Sequence, residues 1–261
     1  MGKSLKMENS MNELSPIQFL AGGPQDSGLK PGDHIDPSGL DAGKPLQHVH
    51  NYFTDQTGQL TAGVWTCTPM TSKLKPYSVN EFMLVLEGSV TIEDENGHEE
   101  TIRAGEAFII PKGMPCRWKQ TEFIRKFYVI FDDPSGLQSP DTGSHKVIRI
   151  DTNSEVPSID EQDTSRYIGD TPTQHLLNVF SDVTKQMNIG LWDTTDMHTK
   201  ALPFARNELM HLISGTVTLR NGSGPGQTFT AGDTFMVPKG MSYQWDSEGF
   251  VSKIYCIFQP G

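Results

Sequence analysis

The sequence predicts an all-β protein made of two tandem copies of one antiparallel barrel. Three observations carry this: the chain repeats itself at an offset of 127 residues, its apolar runs are short and bounded by Gly and Pro, and no segment carries a convincing amphipathic helix of three turns.

The repeat is direct. Gly63 aligns with Gly190, Trp65 with Trp192, Pro76 with Pro203, Glu81 with Glu208 and Gly88 with Gly215. The register continues through Gly105 and Gly232, the PKGM runs from Pro111 and Pro238, Trp118 and Trp245, and Lys126-x-Tyr128 and Lys253-x-Tyr255. From Pro45 to Phe131 it runs without insertion or deletion, with about two in five positions identical. Two units are too few to close a solenoid, and they suit duplicated, self-contained domains. The expected division is an arm over 1–44, a first barrel over 45–131, a linker over 132–146 rich in Pro, Gly, Ser and Asp, and a second barrel over 147–261. The first thirty or so residues lack periodicity and read as a polar tail or loosely attached arm.

Within each copy every element reads as strand. The run Glu81 to Leu86 places Glu81, Met83 and Val85 on one face and Phe82, Leu84 and Leu86 on the other. A strand that is apolar on both faces is covered on both. One face is therefore expected inside a barrel and the other against the second barrel, which makes the chain an internal pseudo-dimer, with homodimerisation of whole chains a further option. The segment from Ser89 to Ile102 reads as a hairpin with Asn96-Gly97 at its tip, the dipeptide of a type I′ turn. The strands ending each copy are FIRKFYVIF and FVSKIYCIF.

Composition bounds the partners. With a net charge of −11 and no basic stripe, the chain lacks the electrostatics of a nucleic-acid binder, and the same balance opposes docking on anionic membranes. No apolar run is long enough to span a bilayer, and the first residues have no apolar core of a secretory signal. Cys67, Cys116 and Cys256 show no C-x-x-C spacing and read as reduced thiols of a cytoplasmic protein.

The segments E-x6-G (Glu81 to Gly88, Glu208 to Gly215) and G-x5-P-x-G (Gly105 to Gly113, Gly232 to Gly240) recur in the same order in both copies. At this spacing they resemble the two motifs of the cupin superfamily. The wider pattern of Trp, Pro, Glu, Gly and Lys-x-Tyr resembles its third subfamily, which includes small bacterial cupins of unknown function. That subfamily is similar to the ethanolamine-utilisation cupin and to the bicupin ureidoglycine aminohydrolases. The resemblance implies a bicupin, two jelly-roll (double-stranded β-helix) barrels per chain.

The resemblance also implies where a metal would sit. A metal-bearing cupin carries H-x-H shortly before the motif Glu and a further His after the P-x-G glycine, holding Fe, Mn, Ni or Zn inside the barrel. Here those places hold Leu74, Lys75, Pro76 and Tyr77 ahead of Glu81, and Cys116 after Gly113. In the second copy they hold Ala201, Leu202, Pro203 and Phe204, and Tyr243. No histidine stands in any of them, and a lone carboxylate with a phenol or thiol is a poor trap for a divalent ion. The expectation is a barrel with neither the usual metal nor another cofactor, a divalent ion at non-standard ligands being the alternative. His48-x-His50, His198 and His211 lie away from these places and read as structural or surface groups, His211 on the strand face turned to the other barrel.

Glu81, Tyr77 and Cys116 are the candidate catalytic residues, because the motifs bring them to one barrel interior. Trp65, Met83, Trp118, Lys126 and Tyr128 are candidate ligand contacts there, and Glu208 and Tyr243 their counterparts in the second barrel. Period-two alternation gives Cys116 and Trp118 one face, and Lys126 and Tyr128 another. The competing reading is structural: a buried Glu81–Lys126 pair, core tryptophans and an inert thiol. Phe204 and Tyr243 replace Tyr77 and Cys116 in the second copy, so a single site is expected in the first. The function expected is binding of a small polar or amine-bearing metabolite, with catalysis undetermined. The alternatives are a metal-dependent aminohydrolase, isomerase or lyase acting on a small amino or carboxylic acid, and a non-catalytic sensor or scaffold.

Overall fold

A computed structural model describes residues 14–133, 146–159, 161–222 and 225–260. The sequence expectations for the extreme N-terminus, for nearly all of the linker and for part of the second hairpin tip fall outside these residues. The protein is all-β, as its patterning requires. The only helical pieces among the described residues are three short 3-10 turns.

Each copy forms two facing antiparallel sheets. In the first, one sheet runs in the order Ile148–Ile150, Ala107–Ile110, Asn80–Glu87, Ile124–Phe131, Leu60–Cys67, Gln47–Thr54 and Lys30–Pro31. Its partner runs Glu99–Arg103, Ser89–Asp94, Pro115–Gln120, Met70–Ser72 and Leu40–Gly43, with Lys75–Pro76 paired to Pro115–Gln120. The second copy repeats the plan around Asn207–Ser214 and Val251–Phe258.

The strand Asn80–Glu87 shows why the copies stay together. Met83 and Val85 join the core inside the first barrel, alongside Phe108, Ile110 and Trp118. Phe82 and Leu84 turn outward into a separate cluster shared with the second barrel, which contributes Ile189, Leu209, Ile254 and Phe258. Phe131 and Phe258, equivalent residues of the repeat, meet there with ring centroids 5.0 Å apart. Burying each such side chain is worth about 1.5–3 kcal/mol. His211 lies on this outward face as expected, half-buried and bonded to Thr234 Oγ1 at 2.8 Å.

Gly88 ends the central strand at φ +75°, and a Cβ there would meet the Phe123 carbonyl oxygen at 2.0 Å. This explains the glycine of E-x6-G, which recurs as Gly215 at φ +82°.

Three expectations are corrected. The arm is not loose from Ile17 onward: Ile17–Phe19 adds an edge strand to the second barrel through Thr234–Val237, while Phe19 stacks on Tyr52 of the first barrel at 4.6 Å. Reciprocally, Ile148–Ile150, placed by sequence with the second barrel, pairs with Ala107–Ile110 of the first. Three-residue strands carry too short a pattern to read, and only the partner's edge defines them. The hairpin tip is also different. Only Gly97 has positive φ, so the turn is not type I′. Gly97 N donates to Asp94 O at 3.1 Å and the Asp94 carboxylate accepts from Asn96 N and His98 N, a type I turn closed by a glycine bulge.

The shared core yields a direct expectation. Phe258→Ala is expected to destabilise the whole chain by about 3–5 kcal/mol in denaturant unfolding. Its effect should fall short of additive with Phe131→Ala, because the two rings touch.

Candidate functional site

The site is built by the two motifs acting together. In the turn after Pro111, Gly113 at φ +89° donates its N–H to the Tyr77 carbonyl at 2.7 Å, and Tyr77 N donates to Met114 O at 2.9 Å. Asn80 Oδ1 accepts from Lys112 N at 3.0 Å. The P-x-G turn therefore fixes the segment carrying Tyr77, and the same bonds recur at Gly240, Phe204, Asn207 and Lys239.

Inside the first barrel Glu81 is buried, and both its oxygens are engaged. Lys126 Nζ donates to Oε1 at 2.8 Å, and the Tyr77 phenol donates to Oε2. The ammonium also donates to Met83 Sδ at 2.9 Å and lies over the indoles of Trp65 and Trp118, 4.9 and 4.8 Å from the ring centroids. The two indoles meet edge to face at 6.1 Å. Trp65 Nε1 donates to Gln47 Oε1 at 2.7 Å, and Trp118 Nε1 to Gln120 Oε1 at 2.6 Å. A phenol, a carboxylate and an ammonium are thus joined in one chain, held against two indoles whose own N–H groups are satisfied.

A cavity of about 670 Å³ opens on this chain. Of the residues expected from sequence, Trp65, Tyr77, Glu81, Cys116, Trp118, Lys126 and Tyr128 all line it. Met83 is not on the wall; it lies fully buried beneath the ammonium. Glu208 and Tyr243 belong to the other barrel. Sequence reasoning missed the outer wall, where the arm supplies Asp33, Ile35, Asp36, Ser38 and Leu40. A signal existed: Asp36-x-Ser38 recurs at the same offset as Asp163-x-Ser165, and each aspartate caps a 3-10 turn. The arm is pinned as wall by Lys30–Pro31 on Gln47–Thr54 and by Leu40–Gly43 on Met70–Ser72.

The charge state of the wall follows from burial. Burial pushes the Cys116 and Cys67 thiols up to about 11, so at neutral pH both are protonated. Of the nearby cations, Lys75 lowers the Cys116 thiol but does not outweigh burial, and Arg117 and Lys119 pair with Asp41, Glu93 and Glu99 on the opposite strand face. Burial, then the Glu81 charge and hydrogen bond, hold the Tyr77 phenol well above its ordinary value. Burial beside Glu81 raises Tyr128 to about 12. Tyr77 and Tyr128 thus face the cavity as neutral phenols.

The second barrel uses the same frame differently. Lys253 Nζ bonds Glu208 at 2.7 Å, but Glu208 Oε2 accepts from Arg206 at 2.9 Å rather than from a phenol. Burial raises the Glu208 carboxyl, yet the Lys253 and Arg206 charges outweigh it and hold the group below its ordinary range. Phe204 and Tyr243 stack at 4.6 Å where the first barrel has Tyr77 and Cys116. Tyr167 takes the place of Leu40 and packs against this cluster. His198 bonds Asp246 at 2.6 Å on the surface. His175, equivalent to His48, bonds Asp193 at 2.5 Å.

Two facing antiparallel sheets per copy, a buried motif glutamate and a P-x-G turn closing on it define a cupin barrel, here present twice. The family model of the EutQ-like cupin domain matches residues 54–128 and again 183–255, and the chain belongs to that family. The fold is similar to a protein of unknown function from Pseudomonas syringae pv. tomato, with a TM-score of 0.74 at 23% identity over 94% of this chain and 100% of that one. It is also similar to a cupin 2 conserved barrel domain protein from Leptotrichia buccalis, with a TM-score of 0.56 at 7% identity over 87% and 91%. No curated protein matches the chain.

The residues present do not fit the divalent ion of metal-bearing cupins. Its ligand places hold aliphatic side chains, a lysine, prolines, a phenylalanine, phenols and a protonated thiol, and each motif glutamate is already paired with a tethered ammonium. Among the described residues, no group of three His, Cys, Asp or Glu side chains is placed to hold a metal. Nor, among them, is any helix long and apolar enough to cross a membrane.

The thiols supply a test with a definite sign. Because their folded pKa is raised, their contribution to stability is intact below the unfolded value of about 8.5 and is lost as pH climbs toward about 11. In the folded protein Cys67 and Cys116 should resist a disulfide reagent at pH 7.5. Reactivity and loss of stability should rise together above about pH 9, followed by thiol titration and thermal melting.

Proposed function

We propose that the first barrel binds a small polar metabolite without a divalent metal, and that the second barrel is its structural counterpart. The observation that carries this reading is the contrast at equivalent positions. Tyr77 and Cys116 line a cavity of about 670 Å³ in front of Glu81 and Lys126, whereas in the second copy Arg206, in place of Val79, bonds Glu208, and Tyr243, in place of Cys116, stacks on Phe204. A cavity of this size with mostly apolar walls and a few convergent polar groups is the ordinary form of a small-molecule site.

The wall indicates how such a molecule is held. The indoles and the apolar side chains of Ile35, Leu40, Met70 and Ile110 take its apolar part, and the phenols of Tyr77 and Tyr128 meet its polar atoms. Lys75 and Asp33 at the rim make no ion pair among the described residues and offer one charge of each sign. A neutral Cys116 thiol supports a role for this residue in shape rather than nucleophilic attack. Three free, buried thiols support a reducing compartment.

The test converts one barrel into the other. A panel of small amines, amino acids and carboxylic acids is screened by thermal shift on the wild type and on the triple variant Tyr77→Phe, Val79→Arg, Cys116→Tyr. At least one compound should raise the wild-type Tm, and that shift should vanish in the folded variant. An equal shift in both proteins, or no stabilising compound at all, would overturn the reading.

A further inference from the structure

We propose that Lys126 and Lys253 are resident cations that replace the metal ion of the cupin barrel, one in each half. In the first barrel the ammonium has a complete set of partners: Glu81 Oε1 at 2.8 Å, Met83 Sδ at 2.9 Å and two indole faces at 4.9 and 4.8 Å. In the second the set is the same in kind: Glu208 Oε1 at 2.7 Å, Met210 Sδ at 3.3 Å, and Trp192 and Trp245 at 4.6 and 5.3 Å. Carboxylate, thioether and paired indoles surround a single positive charge in both halves, and all four lysine and glutamate side chains are buried.

The set is retained where the surrounding site is not. Tyr77 has become Phe204, Val79 Arg206 and Cys116 Tyr243, yet Lys, Glu, Met and both Trp recur at the 127-residue offset. The cation is therefore part of the barrel itself and does not depend on whether the barrel holds a ligand. The physical reason is desolvation: a motif carboxylate sealed in a barrel needs a positive partner, and a tethered ammonium supplies it at fixed stoichiometry. A divalent ion approaching either glutamate meets an ammonium already bound to it, with no histidine among the described residues placed to complete its shell.

Truncating the lysine at Cβ removes a propylammonium fragment, which sets the experiment. The purified wild type is incubated with MnCl2 and with ZnCl2, desalted, assayed for metal and melted. Lys126→Ala and Lys253→Ala are melted alone, with propylammonium chloride and with 1-propanol. Expected are no retained metal in the wild type, a Tm fall on the order of 10 °C in each variant, and partial recovery with propylammonium but not with 1-propanol. Stoichiometric metal retained by the wild type overturns the proposal, as does a variant that melts like the wild type or recovers equally with 1-propanol. The wild-type metal assay decides the matter even where a variant fails to fold.

Discussion

The structure depends on one constraint: the central strand of each barrel is buried on both faces. Its inner face must fill a barrel, and its outer face must meet an equally apolar surface, which the duplication provides in the same chain. A one-residue slip would turn Glu81 and Met83 into the shared core and Phe82 and Leu84 into the barrel, so register is fixed by both cores at once. The exchange of edge strands follows from the same packing. Ile17–Phe19 and Ile148–Ile150 each cap a sheet edge that borders the shared core, and each comes from outside the repeat whose edge it covers. The arm that carries Ile17–Phe19 then continues over the first barrel and becomes the outer wall of its cavity. Site and interface are thus two faces of one strand and two ends of one arm.

On that shared frame the copies have diverged in a physically coherent way. Each keeps a lysine–glutamate pair under two tryptophans, because removing either charge would strand the other in a low-dielectric interior at a cost of about 3–5 kcal/mol. Around the pair, the first barrel has small or neutral groups and keeps space. The second adds the Arg206 guanidinium to the carboxylate and stacks Phe204 on Tyr243.

Most of the fold was legible in the sequence because duplication doubles every signal. Gly88 with Gly215 and Gly113 with Gly240 mark positive-φ positions in register, and the two-faced run at Glu81 announces both cores. Seven of the residues singled out for the first barrel converge on one cavity, since motif position and strand alternation fix which way a side chain points. What was not legible was non-local or short. The three-residue edge strands have no periodicity of their own, and the wall contributed by Asp33 to Leu40 comes from the arm that precedes the first repeat. Asn96-Gly97 misled because the Asp94 carboxylate, not the dipeptide, organises that turn. Met83 was placed on the right face, but its partner is the Lys126 ammonium rather than the cavity.

With a lysine rather than a metal ion at the motif glutamate of each barrel, neither site has room for a divalent cation. Anomalous diffraction measured above the manganese and zinc edges, from crystals soaked in each salt, tests it most directly. The expected result is no anomalous peak beside Glu81 or Glu208, with the Lys126 and Lys253 ammonium groups in density on their carboxylates. A metal peak at either glutamate, with its lysine displaced, would contradict it.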